Sequence, residues 1–277
     1  MQPTPGYRVG PMPRDERPIG VFDSGLGGLT VVRALLDLVP DERILYFGDT
    51  GRFPYGPKPA DEVLKYSLEI TDVLLARDVK MIVVACNSAS AAALDHLQTH
   101  VGVPATGVIE PGVRAARRAT RSGRIGVIGT VGTIQSGAYQ RAAAALDPEL
   151  EITCAACPGF VEFVEAGDVD SDQVHVLAER LLAPVLAADV DTLVLGCTHY
   201  PLLARTIADV MGANVVLVSS AEETAFDVRA RLAGSTAAAP PADRVRFVTS
   251  GDVETFRRLG ARFCGPEVEV VEAWSWS

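Results

Sequence analysis

Two cysteines in matching settings are the residues of this chain best suited to chemistry. One closes Val83-Val84-Ala85-Cys86-Asn87-Ser88, the other Leu193-Val194-Leu195-Gly196-Cys197-Thr198-His199. Each follows an apolar run of strand length and is followed at once by hydrogen-bonding side chains. In parallel α/β sheets, ligands gather where the carboxyl ends of strands give way to loops. A thiol there is placed for reaction rather than for packing. Its ordinary pKa is about 8.5, lowered near a helix N-terminus or a positive group. Each cysteine is expected to precede a helix whose dipole favours the thiolate. Two thiols facing one carbon could take a proton from one face and return a proton to the other. That is two-base racemisation, and it gives a reason for two similar sites where a hydrolase needs one.

Two other chemistries fit parts of the pattern. A Cys–His nucleophile for acyl transfer would pair Cys197 with His199, only two residues away, and would leave Cys86 without a role. Both thiols could instead be ordinary buried cysteines, since free cysteine is among the most buried residue types. The polar residues after each one argue against that.

The elements that must position these residues read as α/β. Ile19-Gly20-Val21-Phe22 is a strand, followed by the turn Asp23-Ser24-Gly25-Leu26-Gly27-Gly28 and a helix with Leu29, Val32, Leu35 and Leu36 at helical spacing. Such a turn suits an anion, but no Lys-Ser/Thr follows it, so a nucleotide P-loop is not supported. A second strand, Ile44 to Phe47, leads to the rigid loop Pro54-Tyr55-Gly56-Pro57. A helix over 61–77 and a strand over 81–85 deliver Cys86. After Pro104 the pattern restarts, with a strand over 105–109, an Arg-rich helix, and Ile125-Gly126-Val127-Ile128-Gly129-Thr130. This second I-G-V strand and small-residue turn lies 106 residues after the first, and Cys197 lies 111 after Cys86. Two landmarks at nearly one offset indicate two similar α/β halves.

The expected limits are a flexible N-terminal extension (1–17), a discontinuous first domain (18–103 with 213–277) and a second domain (104–212). The last elements, a strand over 245–248, a helix near 253–263 and a strand over 268–271, are expected to complete the first half. A breaker-rich linker is expected over 234–241. A helix over 200–211 is expected directly after the Cys197 segment.

Composition narrows the function classes. An apolar share of 48 % with 22 % charged residues is that of an ordinary globular protein. A net charge of −10 does not favour general binding to nucleic acid or an anionic membrane. The run Arg114, Arg117, Arg118, Arg121 and Arg124 reads as a solvated helix face. No stretch reaches the roughly 18 to 20 apolar residues of a membrane span, and no secretion signal is visible. An odd number of cysteines, 5, points to free thiols in a reducing cytoplasm. The lone C-x-x-C at Cys154 and Cys157 reads as structural, ahead of a zinc or redox pair. His96 and His100, one helical turn apart, read as a solvent-facing pair rather than metal ligands. No metal site is expected.

Four stretches together resemble the glutamate racemases of the aspartate/glutamate racemase family: Asp23 to Gly28, Pro54-Tyr55-Gly56, Ala85-Cys86-Asn87-Ser88-Ala89 and Leu195 to Pro201. The resemblance runs from about Pro18 to the last strand. It implies two pseudosymmetric α/β domains with mainly parallel sheets and an active site in the cleft between them. It implies a cofactor-independent isomerase that converts L-glutamate to D-glutamate, in the cytoplasm, for peptidoglycan and cell-wall biosynthesis. Cys86 would handle the α-proton of the D-enantiomer and Cys197 that of the L-enantiomer. Asp23, His199 and Glu165 would assist the thiols. Asp23, Ser24, Tyr55, Gly56, Asn87, Ser88, Thr198 and His199 would hold the substrate. Many members have threonine where this chain has Ser88, so the hydroxyl is kept. The resemblance also implies a homodimer, and DNA gyrase as a protein that some members restrain apart from catalysis. An aspartate racemase or a related decarboxylase would share the fold.

Overall fold

The structure is a computed structural model and describes residues 15–232 and 244–276. In chain order the strands are β1 (Ile19–Asp23), β2 (Ile44–Gly48), β3 (Met81–Val84), β4 (Ala105–Gly107), β5 (Arg124–Gly129), β6 (Glu151–Ala156), β7 (Thr192–Gly196), β8 (Val216–Ser219), β9 (Val245–Thr249) and β10 (Val271–Ala273). They form a six-stranded sheet, β10-β9-β2-β1-β3-β4, and a four-stranded sheet, β6-β5-β7-β8. Every pairing in both is parallel. Helices cover the faces, so the inner strands β1, β2, β3 and β7 are buried at every position. That is why they read as unbroken apolar runs rather than alternating ones.

The repeat is real and wider than two landmarks. The order β2-β1-β3-β4 matches β6-β5-β7-β8, with the two I-G-V strands, β1 and β5, in the same place. In both sheets the chain moves to one side of this strand and then crosses to the other, which creates a switch point at the carboxyl ends. Asp78 and Asp189 are the non-glycine residues with positive φ, 54° and 50°, among the described residues. Each sits three residues before its cysteine-bearing strand. They are separated by the same 111 residues as Cys86 and Cys197.

Sheet membership moves the crossings between the halves away from residues 104 and 213. β4 pairs with β3, keeping residues 105–107 in the first sheet. β8 pairs with β7, keeping residues 216–219 in the second. Each half therefore ends on its fourth strand, and the expected limits cut one strand short in both places. β9 and β10 then add to the β2 edge of the first sheet, the return expected from the sequence. The last strand begins at Val271 rather than 268, because Val268 is 3 % exposed and packs in the core instead of joining the ladder.

The extension expected to be loose is anchored at its end. The Lys80 ammonium donates to the Asp15 carbonyl at 2.8 Å and pairs with the Glu42 carboxylate, both side chains being almost wholly buried. Residues 1–14 of that extension lie outside the described residues, as does the expected linker over 234–241. Among the described residues no helix is long and apolar enough to cross a membrane. The Arg-rich helix, α4 (Ile109–Ala119), begins at Ile109 with Pro111 in its first turn, where a missing N–H costs nothing. Its arginines are engaged: Arg114 with Asp227 at 3.0 Å, Arg117 with Asp147 at 2.6 Å, and Arg118 with Glu223. His96 and His100 stack on each other at the surface, 4.1 Å between ring centroids.

Candidate active site

The carboxyl ends of six strands, three from each sheet, converge on one cavity of about 90 Å³. Asp23 and Ser24 come from the end of β1, Tyr55 and Gly56 from the loop after β2, and Cys86, Asn87 and Ser88 from the end of β3. From the other sheet come Thr130 after β5, Cys157 after β6, and Cys197, Thr198 and His199 after β7. All the residues expected at a site line this cavity except Glu165. That residue lies on α7 (Phe160–Ala166) and reaches the site through His199, whose Nε2 is 2.8 Å from its Oε1.

The halves meet closely at two glycines. A Cβ on Gly27 would overlap the Thr198 hydroxyl and come within 2.5 Å of His199 Nδ1. A Cβ on Gly56 would lie 2.6 Å from the Thr130 Cβ, and the Gly56 carbonyl accepts from the Gly132 amide at 2.9 Å. The glycine-rich turn of one half thus packs directly on the cysteine loop of the other.

The two thiols have different surroundings. Cys86 is the N-cap of α3 (Asn87–His100), and its sulfur accepts from the Ala89 amide at 3.5 Å. It also lies 3.8 Å from the Ser24 hydroxyl. Burial pushes this thiol well above its ordinary pKa and the Asp23 charge adds to that, outweighing the amide donors. The expected helix-dipole advantage is therefore overridden at Cys86, which rests protonated. At Cys197 the expected helix opens instead with a 3-10 turn, Tyr200–Leu203, and the α-helix proper spans only Ala204–Met211. The neighbour that matters there is His199 Nδ1, 3.9 Å from the Cys197 sulfur. Burial disfavours the His199 cation, but the bonds to Cys197 and Glu165 and the Asp23 charge prevail and push its pKa up to about 10.

Burial also raises the Asp23 carboxyl, against the charge of His199 and the amides of Gly28 and Gly25. Those amides donate to Oδ2 at 2.9 and 3.2 Å, leaving Oδ1 buried without a partner. Asn87 Nδ2 is likewise buried and unpartnered. A free acceptor and a free donor in one cavity are what a zwitterionic ligand would satisfy. Among the described residues no lysine or arginine lines the cavity. Anionic groups must therefore be met by neutral donors and His199.

Several residues here were not singled out by the sequence. Thr130 and Thr133 form a hydroxyl cluster with Ser88, at 3.0 and 3.2 Å. Cys157, read as half of a structural C-x-x-C, is 1 % exposed and gives the cavity a third thiol. Cys154 points elsewhere, and no disulfide joins the five cysteines. Tyr55 is fixed by a bond to Asp49, which also accepts from Ser250 at 2.6 Å and Trp276 at 3.0 Å.

Buried thiols make alkaline stability testable. Burial pushes Cys157 and Cys264 up to about 12, and Cys86 higher. In the unfolded chain these thiols titrate near about 8.5. Folded-state pKa values above unfolded ones give stability that is full below about pH 8.5 and falls as pH rises toward the folded values. His199 adds a loss in the same direction, from about pH 6.5 upward through about 10. The melting temperature should fall progressively from pH 7 to pH 10. A flat profile would contradict these environments.

Comparison with known proteins shows similarity in sequence and in fold. The Asp/Glu/Hydantoin racemase family matches residues 19–225. A glutamate racemase of Beutenbergia cavernae is 53 % identical over 270 residues, covering 92 % of each chain. The crystal structure of glutamate racemase isoform RacE1 from Bacillus anthracis superposes with a TM-score of 0.87 at 41 % identity, over 94 % of this chain and 97 % of that one. The glutamate racemase of Francisella tularensis, solved in complex with D-glutamate, gives a TM-score of 0.87 at 33 % identity, over 94 % and 98 %.

Proposed function

The chain belongs to the Asp/Glu/hydantoin racemase family and, within it, to the glutamate racemases, which are isomerases; from that premise we propose that it inverts glutamate by proton transfer between Cys86 and Cys197. The observation that carries this reading is the placement of two free thiols, one from each half of a structural repeat, on one small cavity. In the L-to-D direction Cys197, as thiolate beside the His199 cation, takes the α-proton. Cys86, protonated at rest, gives its S–H proton to the opposite face of the carbon. One C–H bond breaks and another forms, leaving Cys197 as thiol and Cys86 as thiolate, ready for the reverse reaction. Solvent or the next substrate resets the pair.

The α-carbon is a weak acid, and the cavity offers no lysine to hold a pyridoxal-type electron sink. The three lysines, Lys58, Lys65 and Lys80, lie elsewhere. The carbanion must be stabilised by fixed donors in a dry site, each worth about 10²–10³ in rate. Ser24, Tyr55, Gly56, Asn87, Ser88, Thr198 and His199 are proposed to hold the substrate, with Asp23 Oδ1 free to accept from its ammonium. Glu165 acts through His199. No cofactor or metal is part of this scheme.

We further propose that the chain works as a cytoplasmic homodimer supplying D-glutamate for peptidoglycan. These points, and restraint of DNA gyrase, rest on the family resemblance alone.

The test is circular dichroism of purified protein with L-glutamate, run in deuterium oxide. The signal should decay to zero as the enantiomers equilibrate, and the D-glutamate formed should carry deuterium at Cα. L-aspartate should be left essentially unchanged. Inversion of aspartate at a comparable rate would indicate the sister activity instead.

A further inference from the structure

Tyr139 lies on α6 (Ala138–Leu146), in the half that bears Cys197, yet its hydroxyl donates to Asn87 Oδ1 at 2.7 Å, beside Cys86 in the other half. It is 1 % exposed. Its ring covers Gly196, directly before Cys197, so closely that a Cβ there would lie 3.1 Å from the ring edge. One side chain therefore touches the backbone or neighbour of both reactive thiols.

The bond decides how Asn87 faces the cavity. With Oδ1 held by the phenol, Nδ2 is left buried and without a partner, on a residue that lines the cavity. The reversed amide would present its oxygen to an incoming carboxylate. It would also strand the Tyr139 proton, which has no other acceptor among the described residues, and an unpaired buried donor is costly. Burial and the nearby Cys197 hold the phenol above its usual pKa, so it remains a donor.

We propose that Tyr139 is a positioning residue for the racemisation, orienting the Asn87 amide so that Nδ2 is a fixed donor to a substrate carboxylate. This rests on the glutamate reading above. It also couples the halves, because the helix of one sets the binding group of the other.

The experiment is a double-mutant cycle on KM. Tyr139→Phe keeps the ring over Gly196 and removes only the hydroxyl. The amide is then free to turn, and KM for both enantiomers should rise about tenfold while kcat changes by less than about threefold. Asn87→Ala should raise KM at least as much. Adding Tyr139→Phe to Asn87→Ala should change KM by less than about twofold, because the group through which Tyr139 acts is gone. A merely structural tyrosine would multiply its effect onto either background, and that outcome overturns the proposal. So does a KM in Tyr139→Phe equal to that of the unmodified protein. Asn87→Asp covers a failure of Tyr139→Phe to fold. It keeps an acceptor for the phenol and loses the donor, so KM should again rise; an unchanged KM overturns the proposal. If the unmodified protein does not invert glutamate, the functional reading itself has failed. If it does and the cycle is multiplicative, only the role of Tyr139 has failed.

Discussion

Cys86→Ala and Cys197→Ala should each abolish inversion, lowering kcat by at least about a thousandfold, the scale on which removing a proton-transfer group acts. Alanine leaves no acid or base on that face of the carbon. The more discriminating readout is isotope exchange. In deuterium oxide, Cys86→Ala retains the thiol that faces the α-proton of L-glutamate. It should exchange that proton with solvent, slowly and without inversion, and leave D-glutamate untouched. Cys197→Ala should do the reverse. Both cysteines are 7 % exposed or less, so neither substitution opens the core to water. Full turnover by either variant, or exchange into both enantiomers by one of them, would eliminate the two-base scheme.

Exchange is needed because steady-state ratios cannot assign the faces. Enantiomers are equal in free energy in an achiral solvent, so kcat/KM must be identical in the two directions for any variant. A damaged thiol lowers both alike. Asymmetry can appear only in kcat and KM separately, or in exchange without inversion.

How much of this was legible before the fold was known depends on the range of the interactions. The two cysteine strands announced themselves because a buried parallel strand is a short apolar run, and each run stops where its polar neighbours begin. The repeat was legible because a 111-residue offset survives in residue types. Local patterns place the three- and four-residue strands β4 and β8 in the opposite halves, because sheet membership is a long-range pairing that local periodicity does not encode. Cys157 was read with Cys154 as a pair, although a strand end that turns into the cavity separates their surroundings. Tyr139 carried no local signal: in a helix rich in alanine it reads as one more core aromatic. Its partner is 52 positions away. The helix dipole at Cys86 favours the thiolate, but burial outweighs it.

Glu165→Gln should produce the second large loss, about a hundredfold in kcat near pH 8, through His199 rather than through contact with substrate. The amide oxygen can still accept from His199 Nε2, so the geometry at 2.8 Å is preserved and only the negative charge is removed. The hydrogen bond to that carboxylate is one of the interactions that hold the His199 pKa up at about 10, against the burial that lowers it, and a neutral amide acceptor supports the cation less than a carboxylate does. Without the carboxylate the folded-state value drops, although the contributions of Cys197 and Asp23 remain. Imidazolium is present below its pKa and lost above it, so the unmodified protein should keep the cation beside Cys197 throughout the neutral range. The variant should lose it as pH rises through the lowered value. Activity of Glu165→Gln relative to the unmodified protein should therefore be closest at about pH 6 and fall steadily toward pH 9, in both directions alike. KM should change little, because Glu165 does not line the cavity. A loss independent of pH would mean that Glu165 only braces the loop. A loss that shrinks with rising pH would mean that the neutral imidazole, rather than the cation, is the working form of His199.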